Sequence, residues 1–480
     1  MYKKTGFHFD VRLEKDTNKI KYLSKNENLS FKSDIDSPNK NIKNQLIIGD
    51  NYDALKNLLI NYRNQIDVIY IDPPYGKDDM GQFAETNYNN AITRDNLLSM
   101  LYPRLQMAKQ LLSEDGVIFC SIDDKNQAYV KCLFDDIFGE NNFLMDAIRK
   151  TKSTTNDAKE GINIQHESLL IYSKKRENVS LLHGEKDFTN YKNPDNDPLG
   201  TWIIADPSAK SGTKENNYFS ITNPYTGTVD YPPEGRFWCF SKNTVQSHID
   251  SGRICFKKEV NEGERGFIYK RYKNDLRTTK RTFDSLGFVD NLYLNQVGTK
   301  ELKNLNLVDF FKYPKSVNFI KEIIDSCSHK NAKILDFFAG SGTTGQAVLE
   351  LNRDDNGQRS FILCTNNEKT EMNPNGIAYD VTSKRLKRVM TGECYDGSND
   401  FKWIQDNEAL GGDLEVVDIS ECDDVVDFNE MSPFELIDET LYGLDKFENI
   451  ADKIKWVCEN FKFTMKSLDE EHSSNSKENE

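Results

Sequence analysis

Val68-Ile69-Tyr70-Ile71-Asp72-Pro73-Pro74-Tyr75 decides the fold. Residues 67–71, apolar and largely β-branched after Asp67, form a short run that ends at Asp72 and two prolines, the pattern of a strand buried on both faces. A carboxylate directly after such a strand stands at its carboxyl end, where open α/β sheets bind their ligands. Pro73 and Pro74 lock the next two residues and have no N–H to offer a ladder, so their carbonyls stay available. Asp72 and the Pro73 carbonyl can accept hydrogen bonds from an amine while Tyr75 stacks on the ring that bears it. The competing reading is a turn with a capping aspartate, and the buried strand in front of it weighs against that.

Working outward, Leu46-Ile47-Ile48 is a second strand, leading to Asp50 and a helix over residues 52–59. Asp50 is either that helix's N-cap or an acceptor for a ligand amine, and both readings stay open. Leu97, Leu98, Leu101, Leu105, Ala108 and Leu112 recur at helical spacing, with Pro103 expected to kink the helix. Val117-Ile118-Phe119 is a third strand, and residues 129–138 form a further helix. Strands alternating with helices predict a mostly parallel sheet covered on both faces, an α/β fold. The pattern breaks near Lys174. Residues 176–300 carry Asn, Gly, Pro, Lys and Arg with scattered aromatics (Trp202, Tyr225, Tyr231, Phe237, Trp238) and read as an inserted domain of β and loop character. The α/β texture returns over 301–400: helix 317–324, strand 333–338, helix 343–351, strand 361–364. Residues 41–175 and 301–400 are thus two halves of one domain. Residues 1–40 are expected to be a loosely packed polar arm, and 401–480 an acidic region whose last stretch, SLDEEHSSNSKENE, is disordered.

The second half holds another strand-to-helix turn, Asp336-Phe337-Phe338-Ala339-Gly340-Ser341-Gly342-Thr343-Thr344. Gly340 and Gly342 let a ligand approach the backbone at a helix N-terminus. It is not a phosphate-binding Walker loop, because Gln346 stands where the lysine belongs. Glu368, beyond the following strand, suits ribose hydroxyls. Together the glycine turn and the acid indicate a nucleoside site.

The net charge of −15 is concentrated at one end: residues 401–480 hold 7 Lys/Arg against 22 Asp/Glu, whereas 150–315 hold 26 against 21. Local charge decides whether a phosphate backbone is attracted, so total acidity excludes nothing. Within the basic stretch, Lys270, Arg271, Lys273, Arg277, Lys280 and Arg281 could contact phosphates or read guanine, or be a solvated face. Nine cysteines lack a C-x-x-C pair and six histidines form no cluster with them, which predicts no metal site, no disulfide framework and a reducing compartment. No apolar run spans a bilayer, and the expected location is the cytoplasm.

In this order, D-P-P-Y ahead of F-x-G-x-G, the motifs resemble the β class of DNA amino-methyltransferases. More narrowly, residues 45–400 resemble the modification (Mod) subunit of type III restriction systems. The likeness rests on LIIGDN from Leu46, VIYIDPPY from Val68, TRDNLLSMLYPRL from Thr93 and LSEDGVIFCSIDD from Leu112. It extends to Asn223-Pro224-Tyr225-Thr226-Gly227, Pro232-Pro233-Glu234-Gly235-Arg236, Gly298 to Leu302 and Tyr313-Pro314-Lys315. The resemblance implies a Rossmann-like, seven-stranded methyltransferase domain with a target-recognition insert. It implies that the strand before Asp336 lies beside the strand before Asp72, and that the base is flipped out of the duplex. It further implies methylation of adenine N6 by S-adenosylmethionine, with Asp72, Pro73, Pro74 and Tyr75 catalytic. Asp50, Lys315, Asp336, Phe338, Gly340, Gly342, Thr343 and Glu368 would hold the cofactor. Double-stranded DNA, a homodimer and a helicase–nuclease restriction (Res) subunit are the implied partners. N4-cytosine methylation, a solitary methyltransferase and a non-catalytic DNA-binding subunit remain alternatives. The chain departs from the family in having Gly76-Lys77 after the tyrosine, where Asn-Thr is usual, and in being short for a Mod subunit.

Overall fold

The computed structural model of the chain describes residues 9, 19–75, 94–154, 161–423 and 432–465. It divides into two compact units, Gly184–Arg281 and the chain on either side of it. In the larger unit the principal elements are β1 (Lys19–Lys25), β2 (Lys43–Ile48), α1 (Asn51–Asn61), β3 (Ile66–Ile71), α2 (Arg94–Leu111), β4 (Leu112–Ile122), α3 (Gln127–Phe138), β5 (Phe143–Lys150) and β6 (His166–Ser173). After the smaller unit come α4 (Asn295–Asn304), α5 (Val317–Cys327), β7 (Lys333–Asp336), α6 (Thr343–Asp355), β8 (Ser360–Thr365), α7 (Ser383–Thr391), β9 (Asp413–Asp423) and α8 (Ile450–Met465).

One sheet runs in the order β1-β9-β2-β8-β7-β3-β4-β6-β5. The six strands from β9 to β4 are parallel, β6 is antiparallel to both of its neighbours, and β1 is antiparallel to β9. Successive strand residues feed opposite faces, as a period of two requires. Ile69 and Ile71 join Ile118, Leu335 and the leucines of α1 and α2, whereas Val68 and Tyr70 join Phe119, Ile334 and the apolar side of α5. Pro103 does not interrupt α2. Asp67, the polar residue of β3, accepts the Lys333 N–H at 2.7 Å and so ties the start of β7 to its neighbour.

The seven strands from β2 to β5 form the expected methyltransferase sheet, and β9 and β1 extend it at one edge. The loosely packed arm is therefore corrected over Lys19–Lys25. Ile20, Tyr22 and Leu23 are buried, and Lys19 and Lys21, which hide the alternation in the sequence, reach out to Glu421. Likewise β9 lies in the acidic region but buries Leu414, Val416 and Val417. The expected disordered tail and the Gly76-Lys77 departure lie outside the described residues.

The smaller unit centres on an antiparallel three-stranded sheet in which Phe267–Tyr272 lies between Ile254–Phe256 and Trp202–Ala205. Phe219, Ile221, Trp238, Phe240, Ile254 and Phe267 make its core. It is shorter than the expected insertion, since residues 176–183 and those from Thr282 onward belong to the larger unit. No helix among the described residues is long and apolar enough to cross a membrane.

Candidate active site

Four neighbouring parallel strands, β2, β8, β7 and β3, end at one edge of the sheet. Asp50, Glu368, the glycine turn and Asp72 follow them in that order. From β7 the chain crosses to β8 on one side, and from β3 to β4 on the other. The crevice between β7 and β3 is thus a switch point, where open sheets bind ligands. The pairing of Ile334 with Val68 and of Leu335 with Ile69 sets the two motifs side by side across 264 residues.

In the glycine turn, Gly340 and Gly342 have φ of 48° and 77°, left-handed values that favour glycine. A β-carbon at Gly342 would lie 3.2 Å from Thr382. Asp336, expected to bind cofactor, is 2% exposed, and its carboxylate is spent within the turn: it accepts the Phe338 N–H at 3.0 Å and the Thr344 hydroxyl at 2.6 Å. It braces the loop rather than facing a ligand. Below, the fully buried Arg385 donates to Thr343 at 2.8 Å, Ser341 at 3.2 Å and Gln346 at 2.9 Å, fixing the first turn of α6. Phe338 packs on Phe337, with ring centroids 5.3 Å apart. Glu368 is half-buried, and burial raises its pKa. Asp50 does cap α1, accepting the Tyr52 N–H at 2.8 Å, and it also pairs with Arg104 at 2.7 Å while remaining partly exposed.

Burial pushes the Asp336 carboxyl up to about 7, against the pull of its two hydrogen bonds and with the help of the negative charge on Asp72. The native state therefore keeps a proton that the unfolded chain releases near pH ~4. That stabilisation is complete below about pH 4 and is lost as pH rises through about 7. Asp336→Asn cannot titrate. Between these limits the wild type should lose up to about 1.4 kcal/mol per pH unit relative to the variant. Urea titrations across the window measure this, and parallel curves would refute it.

Asp72 sits in a buried charge cluster. Lys315, 9% exposed, donates through Nζ to both carboxylate oxygens of Asp72 at 2.7 Å. The Tyr75 hydroxyl donates to Asp72 at 2.7 Å, with Glu167 at 3.2 Å, and Asn126 holds the Tyr75 carbonyl. Arg149, completely buried, donates to Glu167 at 2.7 Å and to the Tyr293 carbonyl at 3.0 Å. Burial alone would raise the Glu167 pKa, but Arg149 and Lys315 hold it below the ordinary value. Burial, with Asp72 and Glu167 alongside, drives the Tyr75 hydroxyl well above its own, so it stays a donor. Lys315, expected on the cofactor side, thus spans both sites: its ammonium meets Asp72 and its carbonyl accepts the Thr343 hydroxyl at 3.3 Å. Sequence reasoning missed Arg149, Glu167 and Asn126. The available signal was a glutamate opening the apolar run of β6.

Among the six basic residues proposed for DNA, Lys270 is corrected. It is 3% exposed, bonded to Asp197 at 2.6 Å and to Asp195, with its ammonium 4.7 Å from the centre of the Trp202 ring. It neutralises carboxylates inside its own unit. Arg271, Lys273, Arg277 and Arg281 are exposed and Lys280 is half-buried. Among the described residues no group of three or more His, Cys, Asp or Glu could hold a metal ion.

Residues 66–373 match the family model described as DNA methylase, and residues 1–68 one described as an uncharacterised conserved protein. The chain is 33% identical to the Mod subunit of the type III restriction-modification enzyme StyLTI of Salmonella typhimurium, over 68% of this chain and 53% of that protein. It is 28% identical to the EcoPI Mod subunit of Escherichia phage P1, over 76% and 65%. It is 30% identical to the type II methyltransferase M.KpnI of Klebsiella pneumoniae, over 76% and 91%. The chain therefore spans 53% and 65% of the two Mod subunits' lengths.

Proposed function

Since this chain belongs to the DNA methylase family, we propose that it transfers the methyl group of S-adenosylmethionine to adenine N6 in double-stranded DNA as the modification subunit of a type III restriction system. One observation carries the reading: the glycine turn and Asp72–Tyr75 leave adjacent parallel strands at the same edge. The residues fit the cofactor. Gly340 and Gly342 open the backbone at the N-terminus of α6, and the half-buried Glu368 carboxylate suits a ribose. When bound, the cofactor supplies an electrophilic methyl group on a sulfonium.

The chain's own task is to make a poor nucleophile competent. The adenine amine lends its lone pair to the ring. Asp72 and the Pro73 carbonyl accept its two hydrogens, which favours the tetrahedral nitrogen and stabilises the charge that grows there. Tyr75, its hydroxyl tied to Asp72, presents its ring to the flipped base. Orientation at about 3–3.5 Å does the rest.

Mass spectrometry of nucleosides from DNA treated with the protein and labelled cofactor tests this. N6-methyladenine is expected, N4-methylcytosine would replace the adenine reading, and neither would reject the activity. The likeness to a type II methyltransferase, M.KpnI, supports a second reading, a solitary enzyme that works without a Res partner. A homodimer and a Res subunit belong to the type III reading. The exposed Arg277 and Arg281 serve as phosphate contacts. Replacing both by alanine should weaken DNA binding and lower the slope of log K against log salt by about 2. An unchanged slope takes them out of the interface.

A further inference from the structure

We propose that Lys315 holds the place of the base amine in the free protein and is handed from Asp72 to Glu167 when the base arrives. The proposal rests on reading Asp72–Tyr75 as the base pocket. Both Asp72 oxygens accept from Lys315 Nζ at 2.7 Å, and the Tyr75 hydroxyl is 3.1 Å from the same nitrogen. A carboxylate engaged this way offers its strongest acceptor directions to the ammonium, so a neutral amine must displace it. An ammonium that stayed would also oppose the positive charge growing on the reacting nitrogen.

The displaced charge has a destination. Glu167 Oε2 lies 3.5 Å from Lys315 Nζ, while Arg149 occupies the other oxygen, Oε1, at 2.7 Å. With Lys315 and Glu167 both buried, moving between two anions avoids leaving a cation unpaired in the interior. The backbone need not follow. The Lys315 carbonyl is held by Thr343 at 3.3 Å, and Gly298 abuts it so closely that a β-carbon there would be 2.8 Å away. Only side-chain torsions turn. This gives Tyr313-Pro314-Lys315 and Gly298 to Leu302 a joint role, as the arm that carries the lysine and the support behind it.

The test compares duplexes whose target base, located by modified-base sequencing, is either adenine or purine, which lacks the amine. Their affinities are measured by fluorescence anisotropy. Lys315→Met keeps the stem and removes the ammonium, so the preference for adenine over purine should rise about tenfold. Glu167→Gln should lower that preference, and adding Lys315→Met should restore it. A fall in preference with Lys315→Met, or a double variant no better than Glu167→Gln, overturns the handover and makes Lys315 an orienter of Asp72. If Glu167→Gln does not fold, Lys315→Met alone decides. Wild-type protein that leaves DNA unmethylated overturns the underlying reading instead, and nucleoside analysis keeps the two failures apart.

Discussion

Asp72→Ala is expected to lower methyl transfer by about a thousandfold while leaving fold and cofactor binding intact. The size follows from what the carboxylate does: a preorganised group aimed at charge developing in a water-poor site is worth about 3–4 kcal/mol. The fold should survive because the Asp72 side chain is 28% exposed and Lys315, deprived of it, still has Glu167 3.5 Å away. Asp72→Asn, which keeps shape and one acceptor oxygen, should fall between wild type and alanine. Single-turnover transfer of a labelled methyl group, with cofactor affinity measured by calorimetry, separates chemistry from binding. Undiminished transfer by the alanine variant would remove Asp72 from the mechanism.

Gly298→Ala should be the more damaging to the fold. Alanine is normally the better residue inside a helix, by about 1 kcal/mol. Here the sign should reverse. A β-carbon at position 298 would meet the Pro314 carbonyl oxygen at 2.4 Å and that of Lys315 at 2.8 Å, both backbone atoms with no rotamer to escape into. Relieving such an overlap costs about 1–3 kcal/mol. Transfer should fall further than stability, because the displaced segment carries Lys315 and precedes Val317, whose N–H is held by Glu301 at 3.1 Å. Urea midpoints and turnover on the same preparation check both parts. A variant as stable as wild type would show that the segment gives way freely.

What the sequence disclosed and what it withheld divide along a physical line. The run into Asp72 was legible because a strand buried on both faces must be apolar throughout, and the glycine turn because positive φ singles out residue type. The adjacency of the two motifs came through the resemblance. Arg149 and Glu167 were not legible. They meet by antiparallel register across β5 and β6, a pairing that neither residue announces and that falls close to where the helix–strand rhythm fades. Asp336 and Lys270 were misjudged for a shared reason: composition reports that a charge exists, but its partners decide which way it faces.

The seat of β9 between β1 and β2 bears on how the chain is made. The first strand among the described residues, Lys19–Lys25, pairs with residues 417–423, so on the ribosome it must wait for almost four hundred further residues. Until then β2 presents a bare flank, and any intruding strand could dock there. Synthesis paused before residue 413 should therefore leave the N-terminal segment open to proteases, and release of the next dozen residues should close it.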